Sequence, residues 1–189
     1  MSLSALFLPL LLASSPSTAP EPPSPTGLSL QPHLYLSSGW SLTQTTPGDP
    51  VEYRSRLGAG TGVGLQLGYD FTPRLGIFAS AALGVQDAGP YASSGAGLTL
   101  RTGMLGRARL YARLGARLIT PVTLLLYCTG GAGAELFLVR RRLSLALELD
   151  GALPLASGTR ESSSSNDWRV SANSGPVRGL FGVVWYPGL

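Results

Sequence analysis

Lysine is absent from this chain, and cysteine and histidine occur once each, as Cys128 and His33. A single thiol excludes an internal disulfide, a dithiol redox pair and a cysteine metal cluster. Cys128 shares an alternating face with Leu124 and Leu126, which reads as an inert, packed or lipid-facing position. A single imidazole makes any histidine-dependent dyad or triad hang on His33. That residue shares a face with Ser29, Gln31 and Tyr35 and reads as a structural histidine. Charge is also scarce, at 13% of residues against about 25% in typical soluble domains. All 14 cationic side chains are arginines. They are spread along the chain rather than grouped with aromatics, which argues against nucleic acid as a partner. Past the first residues no apolar run reaches the roughly 20 residues of a membrane-spanning helix.

Glycine, by contrast, is abundant, with 25 residues, and much of it falls at period two. From Leu57 to Val85 two long alternating runs are joined by Phe71-Thr72-Pro73-Arg74. One parity carries Leu57, Ala59, Val63, Leu65, Leu67 and Tyr69, then Leu75, Ile77, Ala79, Ala81, Leu83 and Val85. The other parity of the first run carries Gly58, Gly60, Gly62, Gly64, Gln66, Gly68 and Asp70. Period-two glycines with no following helix or lysine do not form a phosphate loop. Alternation sustained this long exceeds an ordinary soluble strand of about five or six residues. It matches the roughly 9–11 residues of a tilted strand that crosses a bilayer.

The N-terminus reads as an export signal over residues 1–19, with an apolar core at Leu3–Ala13 followed by small residues. Residues 20–27 read as a proline-rich linker, and residues 28–189 as one all-β domain. Within it, parity marks eight strands: Leu28–Leu42, the two runs above, Gly95–Met104, Arg107–Leu118, Val122–Val139, Leu143–Leu153 and Val177–Tyr186. Connections alternate between short turns and longer loops, the longer ones at Thr43–Ser55, Gln86–Ser94 and Pro154–Pro176. Short turns at one end and long loops at the other are what outer-membrane barrels show.

From about Gly27 to Leu189 the chain resembles the small eight-stranded bacterial outer-membrane barrels, of the OmpA transmembrane-domain and OmpX-like kind. The resemblance rests on this strand pattern and on the glycine-rich GxGxGLQLGYDFTPRLG hairpin. It implies an eight-stranded antiparallel up-and-down transmembrane β-barrel in the bacterial outer membrane. It also implies a monomer in contact with outer-membrane lipid, inserted by the barrel-assembly machinery. Such barrels usually end on an aromatic residue, whereas here Trp185 and Tyr186 are followed by Pro187, Gly188 and Leu189.

With the large apolar residues facing lipid, the other parity lines a narrow lumen. There the sequence places Asp70, Arg101, Arg109, Arg113, Arg117, Glu135, Glu148, Asp150 and Arg178, which predicts a salt-bridge network, since confined charges need partners. An eight-stranded barrel is only wide enough for side chains, so a wide pore is not expected. Trp40 at one end, and Tyr69, Phe71 and Trp185 at the other, suit interfacial aromatic girdles. No catalytic, cofactor or metal constellation stands out: Glu148 and Asp150 have arginines for partners, and Ser162–Ser165 lacks a nucleophile elbow. The expected role is a non-enzymatic barrel serving envelope integrity or surface interaction through its outer loops. The alternatives are a lipid-modifying barrel enzyme working through His33, and a soluble lipocalin-like carrier with the apolar face turned inward.

Overall fold

The computed structural model describes residues 25–45, 52–87, 89–120, 125–139, 142–156, 158–160, 168–172 and 175–187, with the backbone alone at 40–45, 52–57, 139, 156, 158–160 and 168–172. Twelve strands follow one another: β1 (Gly27–Ser37), β2 (Trp40–Thr45), β3 (Glu52–Leu57), β4 (Gly60–Asp70), β5 (Leu75–Gln86), β6 (Gly89–Arg101), β7 (Ala108–Thr120), β8 (Leu125–Val139), β9 (Leu143–Ala156), β10 (Gly158–Arg160), β11 (Trp168–Ala172) and β12 (Val177–Trp185). Eight of them close a barrel in the order β1-β12-β9-β8-β7-β6-β5-β4, with β4 returning to β1, and every pairing is antiparallel. No helix occurs among the described residues.

Alternation decides what faces where. Along β4 and β5 the parity that carries Val63, Leu65, Leu67, Ile77, Leu83 and Val85 is exposed on the outer wall, and the alternate residues point inward, Phe78 among them; on β12 Phe181 and Trp185 face out while Leu180 and Val184 face in. Leu65, Ile77 and Leu147 are 45%, 43% and 63% exposed, whereas Arg113 and Glu148 are 7% and 8% exposed. This excludes the inward-facing apolar wall that a lipocalin-like carrier needs. Closure also removes the unpaired edges that an open sheet of this length would present.

Local chemistry sets the ends of the strands. Thr72 Oγ1 accepts the backbone amides of Arg74 (3.3 Å) and Leu75 (3.0 Å), which holds the turn between β4 and β5. Gly106, at φ 66°, turns the chain between β6 and β7. The ladder between β1 and β4 runs unbroken through Pro32↔Leu65. On the β12 side it passes from Leu30↔Trp185 directly to His33↔Gly182. Proline has no amide hydrogen to donate to the ladder, and the interruption covers Gln31 and Pro32.

Several boundaries differ from the sequence reading: the strand expected at Leu28–Leu42 ends at Ser37, and Trp40–Leu42 belong to β2 in a second sheet. β5 and β6 continue to Gln86 and Gly89, which pair with each other, so the connection expected at Gln86–Ser94 is a tight turn. β6 stops at Arg101, and Met104 packs instead against Phe137, Ala146, Val184 and Tyr186 inside the barrel mouth. The connection expected as a loop at Thr43–Ser55 is overlapped by β2 and β3, and the one at Pro154–Pro176 contains β10 and β11. These strands pair as a second sheet in the order β10-β11-β2-β3. Backbone groups beyond the barrel rim thereby satisfy one another, as extended chain must.

Candidate functional site

The lumen is the one place where the fold gathers charged side chains among the described residues. Strand β7 supplies Arg109, Arg113 and Arg117. Residues four apart on a strand share a face and rise about 13 Å, so the three form successive tiers along the barrel axis.

In the lowest tier Arg109, fully buried, donates to Glu135 Oε2 at 2.8 Å and to the Tyr186 hydroxyl. Tyr186 Oη in turn donates to the same carboxylate oxygen at 3.0 Å. Arg109 and Glu135 are direct cross-strand partners. Beside them Arg101 pairs with Asp70. In the middle tier Arg113 pairs with Glu148, to which Tyr111 Oη also donates at 3.0 Å. Arg113 Nη2 donates to Gln31 Oε1 at 3.0 Å, and that oxygen accepts a further bond from Gln66 Nε2 at 3.2 Å. In the upper tier Asp150 receives two arginines at once. Arg178 approaches it edge-on through Nε (3.1 Å) and Nη2 (2.7 Å), and Arg117 through Nη2 (2.8 Å).

The guanidiniums also lie over aromatic faces. Arg113 is 4.5 Å from the Tyr111 ring centroid and 5.4 Å from that of Phe78. Arg109 lies over Phe137 and Tyr186, and Arg178 over Tyr35. A planar, delocalised cation can stack and donate at its edge together, which an ammonium cannot match. An all-arginine cation set suits this interior.

The glycine parity has a steric role here. An added Cβ on Gly62 or Gly84 would fall 2.3 or 2.2 Å from Tyr35 Oη, and one on Gly133 would fall 2.5 Å from Tyr111 Cζ. Large rings fill the lumen because the facing positions carry no side chain.

Two apolar groups close the column. Tyr35, Ala82, Tyr91, Ile119, Leu125, Tyr127, Ala152 and Leu180 pack above it, and Phe137, Ala146, Val184 and Tyr186 below. A cavity of about 20 Å³ remains between them, beside Arg113, Arg117 and Arg178.

The nine predicted lumen residues are all buried, and they fall into these tiers: Asp70 with Arg101, Glu135 with Arg109, Glu148 with Arg113, and Asp150 with Arg117 and Arg178. Parity reading missed the aromatic partners Tyr186, Tyr111, Phe78 and Phe137, although each lies on the inward parity of its strand. Tyr69, Phe71 and Trp185 are exposed at one end of the barrel, with Tyr69 and Phe71 edge-to-face at 5.3 Å. Trp40 belongs to β2, and its side chain lies outside the described residues, as do the export signal and most of the linker. His33 is buried, and its Nδ1 lies 3.3 Å from the Gln31 carbonyl. Among the described residues it makes no hydrogen bond or ion pair with a carboxylate, although Glu148 and Asp150 border the same cavity. Cys128 is partly exposed on the outer parity of β8.

No protein-family model matches the sequence, and no curated protein does. Solved structures do resemble it. The outer membrane protein OprG from Pseudomonas aeruginosa is similar over 86% of this chain and 97% of its own, with a TM-score of 0.63 at 11% identity. Neisserial surface protein A is similar over 85% and 97%, with a TM-score of 0.51 at 10% identity. The outer membrane protein AlkL, determined in DMPC bilayers, is similar over 91% and 95%, with a TM-score of 0.51 at 8% identity. At such identities the likeness is one of fold, that of the small eight-stranded outer-membrane barrels.

Proposed function

We propose that this protein is a non-enzymatic integral barrel of a bacterial outer membrane, exported, inserted as a monomer by the barrel-assembly machinery, and sealed along its axis. Its second sheet and longer connections are then presented at the cell surface, for envelope integrity or contact with other molecules. The observation that carries this reading is the inversion of polarity across the wall. Leu34, Leu65, Leu83, Leu114, Leu147 and Phe181 are exposed on the outside, while arginines and carboxylates fill the middle. In water such an apolar belt would drive association, because soluble monomers rarely expose more than a few hundred Å² of contiguous apolar surface. In hydrocarbon it is the favoured surface, and the paired backbone leaves no open edge.

Fractionation tests the proposal. The protein should stay in the outer-membrane pellet after a carbonate wash, dissolve only with detergent, and migrate faster in gels before boiling than after. Recovery from a detergent-free periplasmic extract would overturn it.

A further inference from the structure

We propose that the lumen holds one small monovalent anion, of the halide class, beside Arg117 and Arg178. This goes beyond the membrane role above and does not depend on it. The starting point is charge. Among the described lumen residues five guanidiniums, those of Arg101, Arg109, Arg113, Arg117 and Arg178, meet four carboxylates. Asp70, Glu135 and Glu148 each take one arginine, and Asp150 takes two. One positive charge in the upper tier is therefore uncompensated among the described residues.

All three members of that tier are buried, and an uncompensated charge held away from water is strongly disfavoured. Arginine does not escape this by losing its proton, since its guanidinium stays charged in proteins. The remaining remedy is a counter-ion.

The structure has room for one at that position. The cavity of about 20 Å³ is bordered by Arg113, Arg117 and Arg178 and by the hydroxyls of Ser93 and Thr129. A space of this size takes one water-sized sphere or a single halide. Donors are available around it. Arg178 spends Nε and Nη2 on Asp150, which leaves Nη1 without a partner among the described residues. Ser93 and Thr129 are buried and make no side-chain hydrogen bond among those residues. The carboxylates that also border the space, Glu148 and Asp150, already accept arginine donors. The apolar groups above and below would trap the ion when the barrel closes.

The test uses the whole chain refolded in detergent in sodium gluconate, then titrated with sodium bromide or chloride at constant ionic strength. The unfolding midpoint should rise by several degrees and saturate with either halide, while gluconate has no effect. Crystals grown in bromide should give an anomalous peak between Arg117 and Arg178. R117Q, which removes the surplus charge, should lose the halide dependence, and R101Q, which alters a tier below, should keep it. Equal midpoints in gluconate and bromide with no anomalous peak would mean that water fills the cavity, and would overturn the proposal. Halide dependence that survives in R117Q would overturn it too. Should R117Q fail to fold, the wild-type titration and the bromide peak decide alone.

Discussion

Arg113 lies over the ring of Tyr111, 4.5 Å from its centroid, and both side chains donate to the same oxygen of Glu148. One carboxylate thus fixes a cation and a phenol on β7 against β9. The arrangement bears on register. Hydrophobic parity forbids slips of one residue, since such a slip turns every side chain to the wrong face. A slip of two keeps parity, and only specific partners oppose it. Arg109, Arg113 and Arg117, each with its own carboxylate, supply that opposition.

Removing the acid should expose how much the tier depends on it. Glu148→Leu leaves Arg113 buried without its counter-charge, at a cost of about 3–5 kcal/mol. The double change R113L/E148L should recover most of that loss, because two apolar side chains carry no desolvation cost. Urea unfolding in detergent or vesicles, followed by tryptophan fluorescence, measures both.

Charge alone should not suffice at this position. Arg113→Lys keeps the cation but loses the stack on Tyr111 and the forked reach to both Glu148 and Gln31. A loss of about 1–2 kcal/mol is expected. The same unfolding measurement would detect it, and a variant as stable as the parent would remove stacking from the account.

The outer wall should be sensitive to charge in proportion to depth. Leu147→Arg, on the exposed face of β9, should cost about 2–4 kcal/mol in a lipid bilayer. Leu28→Arg, at the end of β1, should cost about 1 kcal/mol or less. Equal effects of the two in vesicles would contradict a membrane-embedded wall.

Glycines on the two faces should differ sharply. A Cβ on Gly97 would stand 2.2 Å from the Leu114 carbonyl and 2.6 Å from the Gly115 Cα, both backbone atoms that cannot yield. Gly97→Val should therefore destabilise by at least about 3 kcal/mol and abolish the fast-migrating gel form. An added Cβ on Gly130 meets nothing within 4 Å, so Gly130→Val should fold as the parent does.

Planar bilayers offer a check on the sealed lumen. With ion-paired tiers between two apolar groups, the refolded protein should give no stable stepwise conductance. Steady ohmic channels would show that the column opens.

The barrel was legible in the sequence because each of its strands keeps inner and outer residues on opposite parities, most clearly from Gly60 to Gln86. Where both parities are apolar, the signal vanishes. Leu124-Leu125-Leu126 and Val183-Val184-Trp185-Tyr186 read as uniform runs, yet Leu125, Val184 and Tyr186 turn inward to close the lumen. The lumen charges could be assigned to an inner face, but the choice of partner could not. Arg113 reaches past β8 to Glu148 on β9 because the barrel is narrow and closed, and no spacing along the chain carries that information. The second sheet was hidden for a related reason: Thr45 pairs with Arg169, far along the chain. Glycine periodicity was visible, but its purpose depends on Tyr35 and Tyr111, which come from other strands.

The joint between the first and last strands has rungs on either side of Gln31 and Pro32 and none at those two positions. The seam is held on both sides of that gap, toward Trp185 and toward Arg178, and is bare between them.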